Sequence, residues 1–125
     1  MMKQLHNGFY WPKLSQEQRD ECYNGMGAEW MPEFSRKTLD WLFGVLEEAV
    51  RRHDVDFAYY TEQLQYHAAN DRMKENMIYL AQTKIPWWRW FKRRRFIKYW
   101  IPLLYMAVES SLGWKAFSEA EKKKI

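Results

Sequence analysis

The sequence has little of what small exported or membrane-spanning proteins rely on. Cys22 is the only cysteine in 125 residues, so no intrachain disulfide can form, and small secreted folds commonly need several. Residues 1–10 lack the charged, apolar and small-residue order of a signal peptide. The longest uncharged apolar run, 99–108, is about half of the ~20 residues that a bilayer-spanning helix needs. We therefore expect a cytoplasmic protein with no transmembrane segment.

Glycine and proline are scarce as well. The chain has 5 Gly and 4 Pro against 18% aromatic residues, a balance that favours an ordered, mainly α-helical chain with few loops. A chain of this length buries roughly two thirds of its unfolded surface. That is enough for one modest core, so we expect a small single domain.

Two long helices dominate the expected fold. Apolar residues recur at intervals of three and four over 37–64 and again over 67–84, which is the spacing of one helical face. The second helix should stop before Pro86, because the residue that precedes a proline is pushed out of the α region. Only a few polar residues link the two helices, so we expect them to pack antiparallel. Ser15 and Gln18 match a capping box that opens a further, short helix.

A third helix and two terminal segments complete the expected organisation of the chain. A third helix is predicted over 87–112, kinked or divided at Pro102. We divide the chain into an N-terminal arm at 1–14, a helical domain at 15–117 and a charged tail at 118–125.

The third helix carries an unusual concentration of cationic and aromatic side chains. The residues that we call the basic aromatic surface are Trp87, Trp88, Arg89, Trp90, Lys92, Arg93, Arg94, Arg95 and Lys98. Tryptophan beside Arg and Lys is typical of a helix that lies on anionic lipid. The same residue types stack on bases and neutralise phosphates in single-stranded nucleic acid, although no known nucleic-acid motif accompanies them.

A third interpretation of this segment is structural. In it, the cations face solvent or an acidic partner while four aromatic residues belong to the core. Those four are Trp88, Phe91, Phe96 and Trp100.

His53 and Asp54 are the first candidates for chemistry, because both lie in a segment that otherwise has the pattern of a buried helix. An imidazole and a carboxylate there lose hydration that partners must replace, and histidine changes charge most easily near neutral pH. Asp71 is the next acidic residue expected to face His53 from the second helix. The structural alternative is a satisfied core histidine, with Asp54 paired to Arg51 or Arg52.

The order of these features resembles the small phospholipase A2-like proteins of bacteriophages and prophages. The resemblance rests on a glycine loop (24–28), the helix segment that ends in His53-Asp54 (48–54), the segment around Asp71 (69–72) and later motifs up to Gly113–Phe117. It spans about 22–117. It implies a phospholipase A2-like core and, if the protein is active, a calcium-dependent phospholipid ester hydrolase. It also implies a viral protein of the host cytoplasm or the virion.

The resemblance also implies roles for individual residues. His53 would be the general base that activates water, and Asp71 would orient its imidazole. Asp54 would bind calcium, a cation that takes oxygen ligands. The remaining ligands would be the backbone carbonyls of Tyr23, Gly25 and Gly27.

Some positions depart from that family pattern. Val50 stands where a cysteine usually precedes the His-Asp pair, and Phe57 stands where secreted enzymes carry a tyrosine. The competing hypothesis is therefore a non-catalytic phage interaction protein. It would use the basic aromatic surface to bind a host or virion component, whether protein, membrane surface or nucleic acid.

Overall fold

The protein is mainly α-helical, as the sequence predicts. The computed structural model describes residues 5–22, 36–110, 114, 115, 117, 118 and 122, with the backbone only for 36–43 and 107. The described helices are α1 (Gln16–Cys22), α2 (Arg36–Tyr59), α3 (Gln63–Lys84), α4 (Trp90–Arg95) and α5 (Ile101–Glu109).

The capping box at the start of α1 is confirmed. The Ser15 N–H donates to Gln18 Oε1 at 2.9 Å, and the Gln18 N–H donates to Ser15 Oγ at 3.2 Å. This reciprocal pair satisfies backbone donors that the first turn of a helix leaves open.

The segment that the sequence assigns to an N-terminal arm is packed from residue 5 to residue 14. A 3₁₀ turn at Trp11–Lys13 leads to α1, and Trp11 and Leu14 are buried in a cluster with Cys22 and Val55. Nearer the start, the His6 N–H donates to Asn76 Oδ1 at 2.7 Å. This stretch is therefore held against both long helices.

The boundary between α2 and α3 differs from the predicted one. The second helix was expected to begin at about residue 67, yet α3 begins at Gln63. Gln65 explains the difference, because its Oε1 accepts hydrogen bonds from the N–H groups of Thr61 and Glu62, at 3.2 and 3.1 Å. The two helices pack closely on each other and share most of one apolar cluster.

That cluster is the main core, and it joins α2 and α3 to the last part of the chain. Its buried members are Leu46, Ala49, Val50, Met73, Met77, Leu80, Ala81, Ile85, Phe96, Ile101, Leu104 and Val108.

The third predicted helix is not divided at Pro102, which is the second residue of α5. A 3₁₀ turn (Trp87–Arg89) leads to α4, then a π-helical turn (Phe96–Trp100) joins α4 to α5. In that turn the Ile101 N–H donates to the carbonyl of Phe96, five residues back. Pro102 has no N–H to donate, and the wider turn just before it accommodates the missing bond. Within the described ranges, no helix has the length and apolar character needed to cross a membrane.

Candidate functional site

His53 is sealed in the interface between α2 and α3. Its side chain is only 2% exposed, and its Nε2 lies 2.7 Å from Asn70 Oδ1. Since that amide oxygen can only accept, Nε2 carries the proton in this hydrogen bond. Asn70 Nδ2 donates in turn to the carbonyl of Val108 at 3.3 Å. The amide is thus oriented from two sides.

The predicted contact between Asp71 and His53 is wrong in this structure. Asp71 is exposed and accepts a hydrogen bond from the Tyr105 hydroxyl at 2.6 Å. Consecutive helical residues point in different directions, so only one of Asn70 and Asp71 can face α2. The apolar spacing of Tyr66, Met73 and Met77 could have identified Asn70, because it falls on their face of α3.

Burial also determines the protonation of His53. Desolvation lowers the pKa of its imidazole to about 4, and the nearby charge of Arg72 acts in the same direction. The bond to Asn70 opposes this shift only in part. His53 Nδ1 has no hydrogen-bond partner among the described residues. The centroid of the Phe57 ring lies 4.1 Å from the centroid of the imidazole. The ring is therefore neutral at pH 7 and shielded from water.

The described residues alone do not make a calcium site. Asp54 is buried, with 6% of its surface exposed, and no group of three or more His, Cys, Asp or Glu side chains in the described part of the chain could hold a metal ion. The carbonyls of Tyr23, Gly25 and Gly27 lie outside the described residues. Of the predicted calcium ligands, only Asp54 can be placed.

Asp56 is a buried ionisable group that the sequence reasoning missed. It is 2% exposed, and its Oδ2 accepts a hydrogen bond from Arg72 Nη2 at 3.1 Å. Its Oδ1 has no partner among the described residues and lies where a Cβ at Gly8 would collide with it. Burial raises the pKa of this carboxyl to about 6, against the opposing effect of Arg72. Its position three residues after His53 on the same helical face was the available signal.

The basic aromatic surface is open to solvent, in contrast to His53. Trp87, Trp88 and Phe91 are 74%, 65% and 71% exposed, whereas Phe96 is fully buried. The core interpretation is therefore right for Phe96 and wrong for Trp88 and Phe91. Trp100 is half-buried.

Among the cations of this surface, Arg93 has a structural role within the described part of the chain. Its Nη2 and Nε donate to the carbonyl of Ile85 at 2.7 and 3.2 Å and brace the turn before α4. Four further cations of this surface surround an open pocket of about 530 Å³. The pocket is lined by Phe91, Lys92, Arg94, Arg95 and Lys98. None of these four cations takes part in an ion pair with a described carboxylate.

Comparisons with family models, with curated proteins and with solved structures found no match to this chain. The phospholipase A2-like and phage assignments therefore stay predictions from the resemblance.

Proposed function

We propose that this protein binds the surface of anionic membranes through its basic aromatic surface, without spanning the bilayer. The observation that carries the proposal is that aromatic and cationic side chains of this surface are both exposed to solvent. Aromatic side chains stand in solvent next to cations that lack carboxylate partners in the described structure.

The order of residues along the segment suits an interface. The exposed tryptophans come first, at 87–90, and the pocket cations follow at 92–98. Tryptophan prefers the boundary between headgroups and acyl chains, while Lys and Arg are attracted to the phosphates just outside it. A segment that exposes both kinds of side chain can satisfy both preferences at once.

The same arrangement argues against single-stranded nucleic acid as the principal partner. Base stacking needs free ring faces, and the stack between Trp90 and Phe91, with centroids 3.7 Å apart, covers one face of each of these rings. Trp87 and Trp88 also contact each other, edge to face, at 6.0 Å. Each ring pair presents a compact apolar surface, which suits insertion among lipids better than intercalation between bases.

Vesicle binding tests the proposal directly. The protein should co-float with vesicles of phosphatidylcholine and phosphatidylglycerol, and binding should weaken with added salt. Each cation near a membrane contributes about fivefold in affinity, so Arg94→Glu plus Arg95→Glu should reduce binding by at least about 25-fold. Lys13→Glu plus Lys115→Glu is the matched control, since both lysines are exposed and lie outside the segment.

Two results would contradict the proposal. One is equal binding to neutral and anionic vesicles, and the other is an equal loss in the control pair. Tighter binding to single-stranded DNA than to any vesicle would favour the nucleic-acid alternative instead.

A second candidate is the phospholipid ester hydrolase that the resemblance implies. The observation that favours it is the buried His53 imidazole, whose Nδ1 is without a partner among the described residues and is thus chemically able to take a proton. Such a reaction requires an opening that brings substrate and water to His53. Membrane binding would favour such an opening only if the open state bound the membrane more tightly than the closed one.

Fatty-acid release from the same vesicles separates the two candidates. If the hydrolase is real, His53→Gln abolishes release while vesicle binding persists, and Asp54→Asn removes any calcium dependence of release. Absence of release from the parent protein, with and without calcium, would reject the second candidate and leave the first intact.

A further inference from the structure

We propose that the pocket formed by Phe91, Lys92, Arg94, Arg95 and Lys98 is a headgroup site that takes a phosphomonoester of a membrane lipid. The inference rests on the proposed membrane binding and goes beyond it. General attraction to anionic lipid needs only a positive surface, whereas this site would distinguish one class of phosphate from another.

The helical spacing brings the pocket residues onto one face. Residues three and four apart on a helix are neighbours, and Arg94 and Arg95 are each followed at that distance by Lys98. Phe91 precedes both arginines by the same interval. This spacing explains why these side chains line one pocket.

The charge of the site is uncompensated. Like charges at these spacings destabilise a helix, and arginine cannot relieve the repulsion by losing its proton. No described carboxylate pairs with the pocket cations. A bound multivalent anion would remove this repulsion, so the ligand should itself be strongly negative.

The ligand chemistry follows from the donors. Guanidinium groups offer paired N–H donors that match phosphate oxygens, and Lys adds point charge. A phosphomonoester carries close to two charges at pH 7 and three terminal oxygens, whereas the diester of an ordinary anionic lipid carries one charge and two free oxygens. Four cations match the first ligand better than the second.

The position of Phe91 favours a lipid over a free phosphate. Phe91 lines the pocket and stacks on the exposed Trp90. A phosphate in the pocket would thus sit beside side chains that enter the bilayer interface. A lipid headgroup satisfies both contacts, and a soluble phosphate satisfies one.

The experiment compares phosphatidic acid with phosphatidylglycerol in phosphatidylcholine vesicles adjusted to equal zeta potential. The parent protein should bind the phosphatidic acid vesicles at least tenfold more tightly. Arg94→Lys plus Arg95→Lys keeps the charge but removes the paired donors, so it should retain binding to phosphatidylglycerol and lose the preference. Lys13→Arg plus Lys115→Arg, at two exposed positions outside the basic aromatic surface, is the charge-conserving control and should keep the preference.

Other outcomes are equally clear. Equal affinity for both vesicles overturns this inference but leaves the proposed membrane binding standing, whereas no binding to either overturns both. Glycerol 3-phosphate at millimolar concentration should lower the preference only partly. If the protein binds glycerol 3-phosphate as tightly as the vesicles, the lipid source of the phosphate is wrong.

Discussion

The sequence marks both His53 and the basic aromatic surface as candidate sites, yet the structure buries the first and exposes the second. His53 is 2% exposed and bonded to Asn70. Trp87, at the start of the basic aromatic surface, is 74% exposed. The comparison teaches that residue type does not decide accessibility, because the packing around each residue does.

The two regions also differ in how their polar groups are satisfied. The imidazole of His53 has lost its charge to burial, and its partner Asn70 belongs to the same chain. The four pocket cations are exposed to solvent and lack carboxylate partners in the described structure. Substitutions at the first region should therefore change stability, and substitutions at the second should change binding.

Phenylalanine substitutions five residues apart should show the largest contrast. Phe96→Ala removes a fully buried ring from the main core, so we expect a loss of about 3–5 kcal/mol in the free energy of unfolding. Phe91→Ala removes an exposed ring and should cost about 1 kcal/mol or less, chiefly its stacking on Trp90. Urea unfolding of both variants measures the difference, and similar losses would mean that the two rings do not have opposite environments.

The next largest effect should appear in the pH dependence of stability. The pKa of His53 falls from 6.5 to about 4 on folding. Between these values only the unfolded chain is protonated at His53, so this group's contribution to stability rises with pH. His53→Gln should therefore lose about 2–3 kcal/mol relative to the parent protein as pH increases from about 4 to about 6.5.

Asp56 should show a pH dependence of stability with the opposite sign. Its pKa rises from 3.8 to about 6 on folding, so between these values the folded state holds the extra proton and stability falls as pH rises. Asp56→Asn should gain stability relative to the parent over that window. Chemical denaturation at a series of pH values measures both trends, and differences that stay constant with pH would contradict the burial of these groups.

Substitutions of the neighbouring residues Asn70 and Asp71 on α3 should show the smallest difference in stability. Asn70→Leu leaves the His53 Nε2–H without its acceptor in a buried position, which should cost about 1–3 kcal/mol. Asp71→Leu loses one exposed hydrogen bond to Tyr105 and should cost about 1 kcal/mol or less. Thermal unfolding compares the two, and a larger loss for Asp71 would restore it as the partner of His53.

The sequence predicts the helices better than the contacts between them. The capping box at Ser15 and the apolar spacing of α2 and α3 depend on residues close in the chain, and these features are present. The start of α3 was placed too late because the contribution of Gln65 as a cap went unrecognised. Asp71 does not contact His53 because helical face, and not the charge of the side chain, determines which residue of α3 points toward α2.

The sequence by itself determined the helical class of this protein and the concentration of cations and aromatic rings between residues 87 and 98. These properties follow from local spacing and composition. Only the tertiary structure decided which aromatic rings entered the core and which polar groups lost their water. Burial depends on how α2, α3 and the last helices pack, and local spacing does not specify that packing.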